Sequence, residues 1–258
     1  MTLVSNFVDF SDIEIVYDHQ DFLVINKPAG LSVHKDQQAE GLLTGLARSL
    51  KLEHLYLVHR LDQMTSGLLI LAKNQTSNRV LSQMFQRRDV QKYYIAISDK
   101  KPKKKQGLIK GDMEKGRGGS WKLIKSSVNP AITQFFSFSL DPSLFDEGRQ
   151  VSKGLRLFLL KPHTGKTHQL RVALKSLGSA IVGDTRYATQ TSNPQSISEP
   201  KALIDRGYLH AWRLCFQYEG ENFDLTALPD SGELFTQSAF LAFLESLGHP
   251  KDLAWPTI

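Results

Sequence analysis

Apolar positions along the chain follow two rhythms, and the changes between them mark out the elements. Residues 13–17 (IEIVY) and 22–26 (FLVIN) read as two short strands around the turn residues Asp18, His19, Gln20 and Asp21. Lys27-Pro28-Ala29-Gly30 breaks the rhythm and predicts a loop. Residues 42–50 fit a short helix. Residues 67–72 (GLLILA) form a continuous apolar run of strand length, the pattern of a strand buried on both faces. A helix follows over 76–88, where Val80 with Met84 and Leu81 with Phe85 predict one apolar stripe. Residues 92–98 (KYYIAIS) are rich in β-formers.

A long polar stretch with Gly107, Gly111, Gly116, Gly118 and Gly119 comes next and is expected to hold a hairpin. Strands are predicted over 131–140, 154–160 and 208–218, with a polar connection between the first two and a polar loop at 189–200 (TQTSNPQSISEP). A helix over 167–177 puts Leu170, Leu174 and Leu177 on one face, with Gly178 as its C-terminal stop. A last helix over 233–247 ends at Gly248. Strands outnumber helices and come in runs, so the expected class is α+β: a mixed, largely antiparallel sheet with flanking helices. No repeat and no long polar linker divides the chain, which predicts a single domain over 1–258.

Composition narrows the function classes. The 258 residues are 41% apolar and 22% charged, which is globular and argues against disorder. A single cysteine, Cys215, excludes an intrachain disulfide and a Cys-based zinc site. No apolar run approaches the roughly 20 residues that span a bilayer. The first 18 residues carry four acids and no basic segment, so no signal peptide is expected and the cytoplasm is the expected location. The net charge of +6 admits a polyanionic partner. Five of the six residues from 100 to 105 are lysine, and Lys110, Lys115, Arg117, Lys122 and Lys125 follow. That segment reads either as a solvated loop or as an arm that contacts phosphates.

Two clusters could carry chemistry. His59-Arg60-Leu61-Asp62-Gln63-Met64-Thr65-Ser66-Gly67 lies just before the buried strand, where a rigid element holds polar groups in place. By itself Asp62 could equally cap a turn at Thr65 or Ser66. Lys161-Pro162-His163-Thr164-Gly165-Lys166-Thr167-His168-Gln169-Leu170-Arg171 runs from a polar loop into a helix N-terminus, a favourable place for an anion. Its bland reading is a Thr167 N-cap with a solvated Lys166. The nucleotide-binding spacing GxxxxGK[ST] is missing, so no nucleotide cofactor is expected. His163 and His168, or His59 and Asp62, match no metal-binding spacing, and there is no GxSxG elbow.

Taken together, the chain resembles the RluA-type pseudouridine synthases. Asn26-Lys27-Pro28-Ala29-Gly30-Leu31 with Val33-His34 resembles the first motif of that family. His59-Arg60-Leu61-Asp62 with Thr65-Ser66-Gly67-Leu68-Leu69 resembles its active-site motif. Lys92 with Tyr94 and Ala96, Pro130-Ala131 with Thr133, and Lys161-Pro162 through Thr164-Gly165 to His168-Gln169-Leu170-Arg171 follow in family order. Gly183-Asp184 with Tyr187, and Leu209-His210-Ala211, match two late landmarks. Departures are Lys166 for the usual Arg, Ala173 where His is common, and no His-Pro after Leu214. The first motif begins almost at once, which implies a compact member without an S4-type RNA-binding module.

The resemblance implies an isomerase that converts uridines of tRNA, ribosomal RNA or both to pseudouridine, on the family's catalytic fold. It implies Asp62 as nucleophile, Tyr94 stacking on the uracil and taking the C5 proton, and Arg171 paired with Asp62. A cation that close favours the ionised form of a carboxylate. The uracil must leave the RNA stack, and Arg60 is placed to fill the vacated space. His59, Thr65, Lys27, Lys92, Lys166, His168 and Gln169 complete the expected substrate contacts. The reaction is redox-neutral and consumes no water, so neither cofactor nor metal is expected, and the expected state is a monomer. Two other classes fit less well. A glycoside hydrolase needs two carboxylates around one bond, and neither cluster offers a second acid. A non-catalytic RNA chaperone has no use for an Asp62, Tyr94 and Arg171 set.

Overall fold

In the computed structural model, which describes residues 9–33, 41–145, 154–188 and 205–258, the apolar run at 67–72 lies inside the sheet. Strand β4 (Ser66–Ala72) is buried at every position and pairs antiparallel with β2 (Phe22–Lys27), itself buried throughout. Alternation sorts their side chains between two layers. Leu23, Ile25, Leu69 and Leu71 face the main core with Leu42 and Leu46 of helix α1 (Leu42–Ser49). Phe22, Val24, Leu68 and Ile70 face a second cluster with Leu81 of helix α2 (Gln75–Arg87). Helices on both faces explain why these strands are continuously apolar.

The sheet extends outward from this pair. Strand β1 (Ile15–Asp18) forms a hairpin with β2, and the two-residue β3 (Tyr56–Leu57) adds to β4. On the other side, β5 (Gln91–Ser98), β6 (Gln106–Lys115), β7 (Trp121–Ile124), β8 (Ala131–Ser139), β9 (Arg156–Pro162), β10 (Leu209–Tyr218) and β11 (Glu221–Thr226) complete eleven strands. The order is β1-β2-β4-β10-β5-β9-β8-β6-β7, with β11 beside β10 and β3 beside β4. Helices α3 (Gln169–Ser176) and α4 (Ser238–Ser246) pack on the main core through Leu170, Leu174, Phe240 and Leu244. The class is mixed α+β with a largely antiparallel sheet.

One pairing is parallel: β4 meets β10 at Ser66–His210 and Gly67–Ala211. Gly67 has φ +103°, and a Cβ there would lie 2.3 Å from the Ala211 carbonyl oxygen. Only glycine allows this close approach. Next to it, the Ser66 hydroxyl lies 2.7 Å from His210 Nδ1, His210 Nε2 lies 2.8 Å from the Ala227 carbonyl, and Arg206 donates to Ser66 at 2.6 Å. The Ala227 carbonyl needs a proton from Nε2, so Ser66 donates to a neutral imidazole. Burial pushes the pKa of His210 down to about 3.

Local outcomes differ from the sequence pattern in three places. Val80 is exposed, because at about 100° per residue it lies well off the line of Ser77, Leu81 and Phe85. Helix α3 starts at Gln169 rather than Thr167, since His168 takes the left-handed conformation (φ 57°) and no side chain caps the helix. Residues 233–236 form a single turn closed on the Gly232 carbonyl, and α4 starts only at Ser238. The loop predicted at 189–200 and the position of His34 lie outside the described residues, as does much of the connection after residue 140.

Candidate active site

The loop from His59 to Thr65 joins β3 to β4 and is pinned at both ends. The His59 ring stacks on Phe85 at 4.2 Å, and its Nε2 accepts the Ile70 backbone N–H at 3.0 Å. An accepting nitrogen carries no proton, and burial, then the charge of Lys92, pushes the His59 pKa down to about 3. His59 is a neutral anchor. At the other end the Asp62 carbonyl accepts from Thr65 N at 3.0 Å, closing the turn with backbone alone and leaving the carboxylate free of capping duty. Gly30 and Gln63 brace this turn from outside: Gly30 N donates to the Gln63 carbonyl at 2.8 Å and Gln63 Nε2 to the Gly30 carbonyl at 3.1 Å.

The Asp62 carboxylate reaches Arg171 of α3, with Nη1 to Oδ2 at 3.2 Å. The rest of that guanidinium is held by Asp184, with Nε to Oδ2 at 2.8 Å and Nη2 to Oδ1 at 2.9 Å. Asp184 is fully buried and also accepts from Arg186 N and Tyr187 N. The Tyr187 ring lies 5.0 Å from the same guanidinium. Burial alone would lower the Arg171 pKa, but Asp184 and then Asp62 outweigh it and raise it. Asp184 appears in the sequence only as a landmark, and no spacing shows that it grips Arg171.

Tyr94 enters the cleft from β5, while its neighbour Tyr93 points to the opposite face and packs near Trp255. Burial, and then the charge of Asp62, raise the Tyr94 pKa above the ordinary phenol range, so the hydroxyl keeps its proton at neutral pH. Lys92 lies on the same strand with its ammonium 5.5 Å from the Phe85 ring centroid, and burial, then Arg88, lower its pKa to about 8. Together these groups line a cleft of about 520 Å³ between the His59–Thr65 loop, β5 and the start of α3. Arg60, Asp62, His168 and Arg171 also line a second concavity, so the two meet around Asp62.

Two of the expected substrate contacts are buried and engaged by the protein itself. Lys27 is wholly buried, and its ammonium donates to the carbonyls of Pro28 at 2.8 Å and Leu31 at 2.9 Å. It supports the loop that braces Gln63 and offers no surface to a phosphate. Gln169 is buried too, and both ends of its amide are engaged. It accepts from Thr164 Oγ1 and Lys166 N and donates to the Ile132 carbonyl and Thr133 Oγ1. Arg60 is exposed at the rim, Thr65 lines the cleft, and Lys166 at the mouth binds Asn129 Oδ1 at 2.7 Å.

Away from the cleft, the fold brings Cys215, Asp224 and His249 together in a way no sequence spacing announces, with their ligand atoms within 4.8 Å of one another. Arg213 holds both oxygens of Asp224, at 2.5 and 2.9 Å, so that carboxylate is already neutralised.

The family model of RNA pseudouridylate synthase matches residues 21–176. The chain belongs to this family. It is an RNA pseudouridine synthase, an isomerase acting on uridine in RNA. An "Uncharacterized RNA pseudouridine synthase" of Haemophilus influenzae is 50% identical over 87% of the chain and 91% of its own length. "Ribosomal large subunit pseudouridine synthase C" of Rickettsia felis is 33% identical over 78% of the chain, which spans only 62% of that relative. "tRNA pseudouridine synthase C" of Haemophilus ducreyi is 30% identical, with 80% and 86% covered. Among solved structures, Human RNA Pseudouridylate Synthase Domain Containing 1 superposes with a TM-score of 0.67 at 26% identity, over 86% of this chain and 85% of that one. Among the described residues no helix is long and apolar enough to cross a membrane.

Proposed function

We propose that this synthase acts on uridines of tRNA, ribosomal RNA or both, with Asp62 as the nucleophilic carboxylate, Arg171 as its partner and Tyr94 against the flipped uracil. The observation that carries this reading is the Asp62–Arg171 contact at 3.2 Å in a cleft walled by Tyr94. In the reaction the N1–C1′ bond breaks, a C5–C1′ bond forms, and the C5 proton leaves as N1 gains one. No atom enters and no electron is lost, so neither redox cofactor nor bound nucleotide has a task.

A carboxylate can carry the sugar or base adduct between the two bond changes. Arg171 keeps it aimed. Tyr94 holds its proton at neutral pH, which fits it better for stacking and hydrogen bonding than for a standing phenolate base. Arg60, exposed at the rim, can stack in the gap left by the uracil and bind a phosphate at once. Lys92, Lys166 and His168 line the same cleft, within reach of the nucleotide seated there and its neighbours. A hydrolase reading needs a second acid at the bond, and Asp184, on the other side of Arg171 from Asp62, is enclosed by Arg171 and backbone N–H groups. The same compact unit would work as a monomer in the cytoplasm, where its substrates are made.

The test is pseudouridine mapping on tRNA and ribosomal RNA incubated with the purified protein and with Asp62→Asn. Wild type should convert specific uridines without releasing free uracil, and Asp62→Asn should fold and bind RNA yet convert none. Conversion by Asp62→Asn at a sizeable fraction of the wild-type rate would remove Asp62 from its role.

A further inference from the structure

Tyr187 lies in the turn after Asp184 and is 1% exposed. Its hydroxyl has two partners among the described residues. The Trp121 backbone N–H, at the start of β7, points to it at 2.9 Å, and His168 Nδ1 lies 2.8 Å away. Trp121 N–H can only donate. A buried phenolic proton left without an acceptor is costly, and Nδ1 is the partner able to take it. The hydrogen-bond pattern therefore fixes the imidazole: Nδ1 is bare and Nε2 carries the proton.

Backbone geometry supports a functional reading of this arrangement. His168 sits at φ 57° and ψ 19°, a conformation that non-glycine residues adopt at a cost, immediately before α3. The same residue lines both concavities that meet at Asp62. Nε2 has no hydrogen-bond partner among the described residues.

We propose that Tyr187 is a positioning residue that holds His168 as the neutral Nε2–H tautomer, so that His168 donates a hydrogen bond to an acceptor oxygen of the nucleotide seated at Asp62. The proposal rests on the pseudouridine synthase reading for its substrate, but the tautomer follows from the protein alone. The charged groups facing His168 are Asp62, Arg171, Arg186 and Asp184. Burial lowers its pKa, Asp62 and Asp184 push it up, and Arg171 and Arg186 push it down. The net direction is downward, in keeping with a neutral ring. His168 then serves as a directed donor rather than as a cation that attracts phosphate.

Two measurements test this. Nitrogen-15 NMR of the histidine rings, with His168 assigned by loss of its signals in His168→Asn, reads the tautomer directly. Wild type at neutral pH should show a protonated Nε2 and a bare Nδ1, and Tyr187→Phe should lose that preference. A protonated Nδ1 in wild type overturns the proposal. Tyr187→Phe keeps the ring under Arg171 and removes only the hydroxyl. Its single-turnover rate should fall about tenfold, the size of one good hydrogen bond, with RNA affinity unchanged. His168→Asn should slow the step at least as much, and the double variant should be no slower than His168→Asn alone. Full additivity would show that Tyr187 acts through some other group and would overturn the coupling. If wild-type protein leaves all uridines unchanged, the functional reading falls and takes the substrate half with it, while the nitrogen shifts still decide the tautomer.

Discussion

Arg171 serves two carboxylates of unequal standing. Asp184 takes the planar fork in a fully buried, bidentate pair through Nε and Nη2, and Asp62 receives an N–H from Nη1, the nitrogen that Asp184 does not hold. The buried pair fixes the guanidinium so that Asp62 can be held from one side and stay open on the other. Asp184→Asn leaves the buried arginine with only the single contact to Asp62, and breaking such a buried pair typically costs about 3–5 kcal/mol. Urea denaturation should show a loss of that order, and the remaining folded protein should turn over slowly because Arg171 no longer aims at Asp62. Lys27 gives a pH signature. Burial, then Arg206, lowers its pKa from 10.5 to about 7, against a smaller upward pull from Asp62. Between those two values the unfolded chain holds the extra proton, so stability rises with pH across that window; below it both states are charged and the burial cost is felt in full. Lys27→Met should flatten this rise, which can reach about 1.4 kcal/mol per pH unit, in denaturation midpoints compared near pH 6.5 and 9.5. The residues of the site were legible as a motif, but Asp184 and Tyr187 were not legible as supports. Their partners lie 13 and 19 residues away and meet them only through the turn after α3.

Among the elements, the joint between β4 and β10 sets where the His59–Thr65 loop ends. Gly67 allows the two backbones to touch, and any Cβ there meets the Ala211 carbonyl. Gly67→Ala should therefore destabilise by more than about 3 kcal/mol, combining a disfavoured φ with a backbone clash. Thermal unfolding of the variant, or its failure to accumulate in soluble form, is the measurement. The strands were readable from the sequence because apolar runs such as 67–72 report burial on two faces. Element ends were less readable. Thr167 looks like a cap, but the tight packing of His168 against Tyr187 delays the helix by two residues. Strand β11 alternates Phe223 and Leu225 with polar neighbours, yet it is short and half exposed, and its pairing with β10 comes from the tight turn at Glu219 and Gly220. The parallel contact could not be read at all, since nothing local distinguishes a strand's neighbour 144 residues away.

Over the whole molecule, positive charge reaches the cleft side through the β6–β7 hairpin. The lysines of 100–105 are largely exposed and lead into the β6–β7 hairpin, which carries Lys115, Arg117 and Lys122 and is tied to the α3 side through Trp121 and Tyr187. If this face follows an RNA backbone, each phosphate it neutralises on a single strand adds about −0.7 to the slope of log affinity against log salt. Replacing the 100–105 lysines by serine should flatten that slope and weaken binding, with little change in rate at saturating RNA; an unchanged slope in filter binding would return the segment to the status of a solvated loop. The β4–β10 joint also governs the order in which the molecule comes into being. Ser66 must find His210, and Asp62 must find Arg171, 109 residues on. Contacts this distant in sequence close late, after local hairpins and helices have formed. A nascent chain that has emerged only as far as β9 holds nine of the eleven strands and Asp62, the proposed nucleophile, but not Arg171. On the roles proposed for Asp62 and Arg171, the growing chain stays inert towards the RNA crowded around it until the last third has docked.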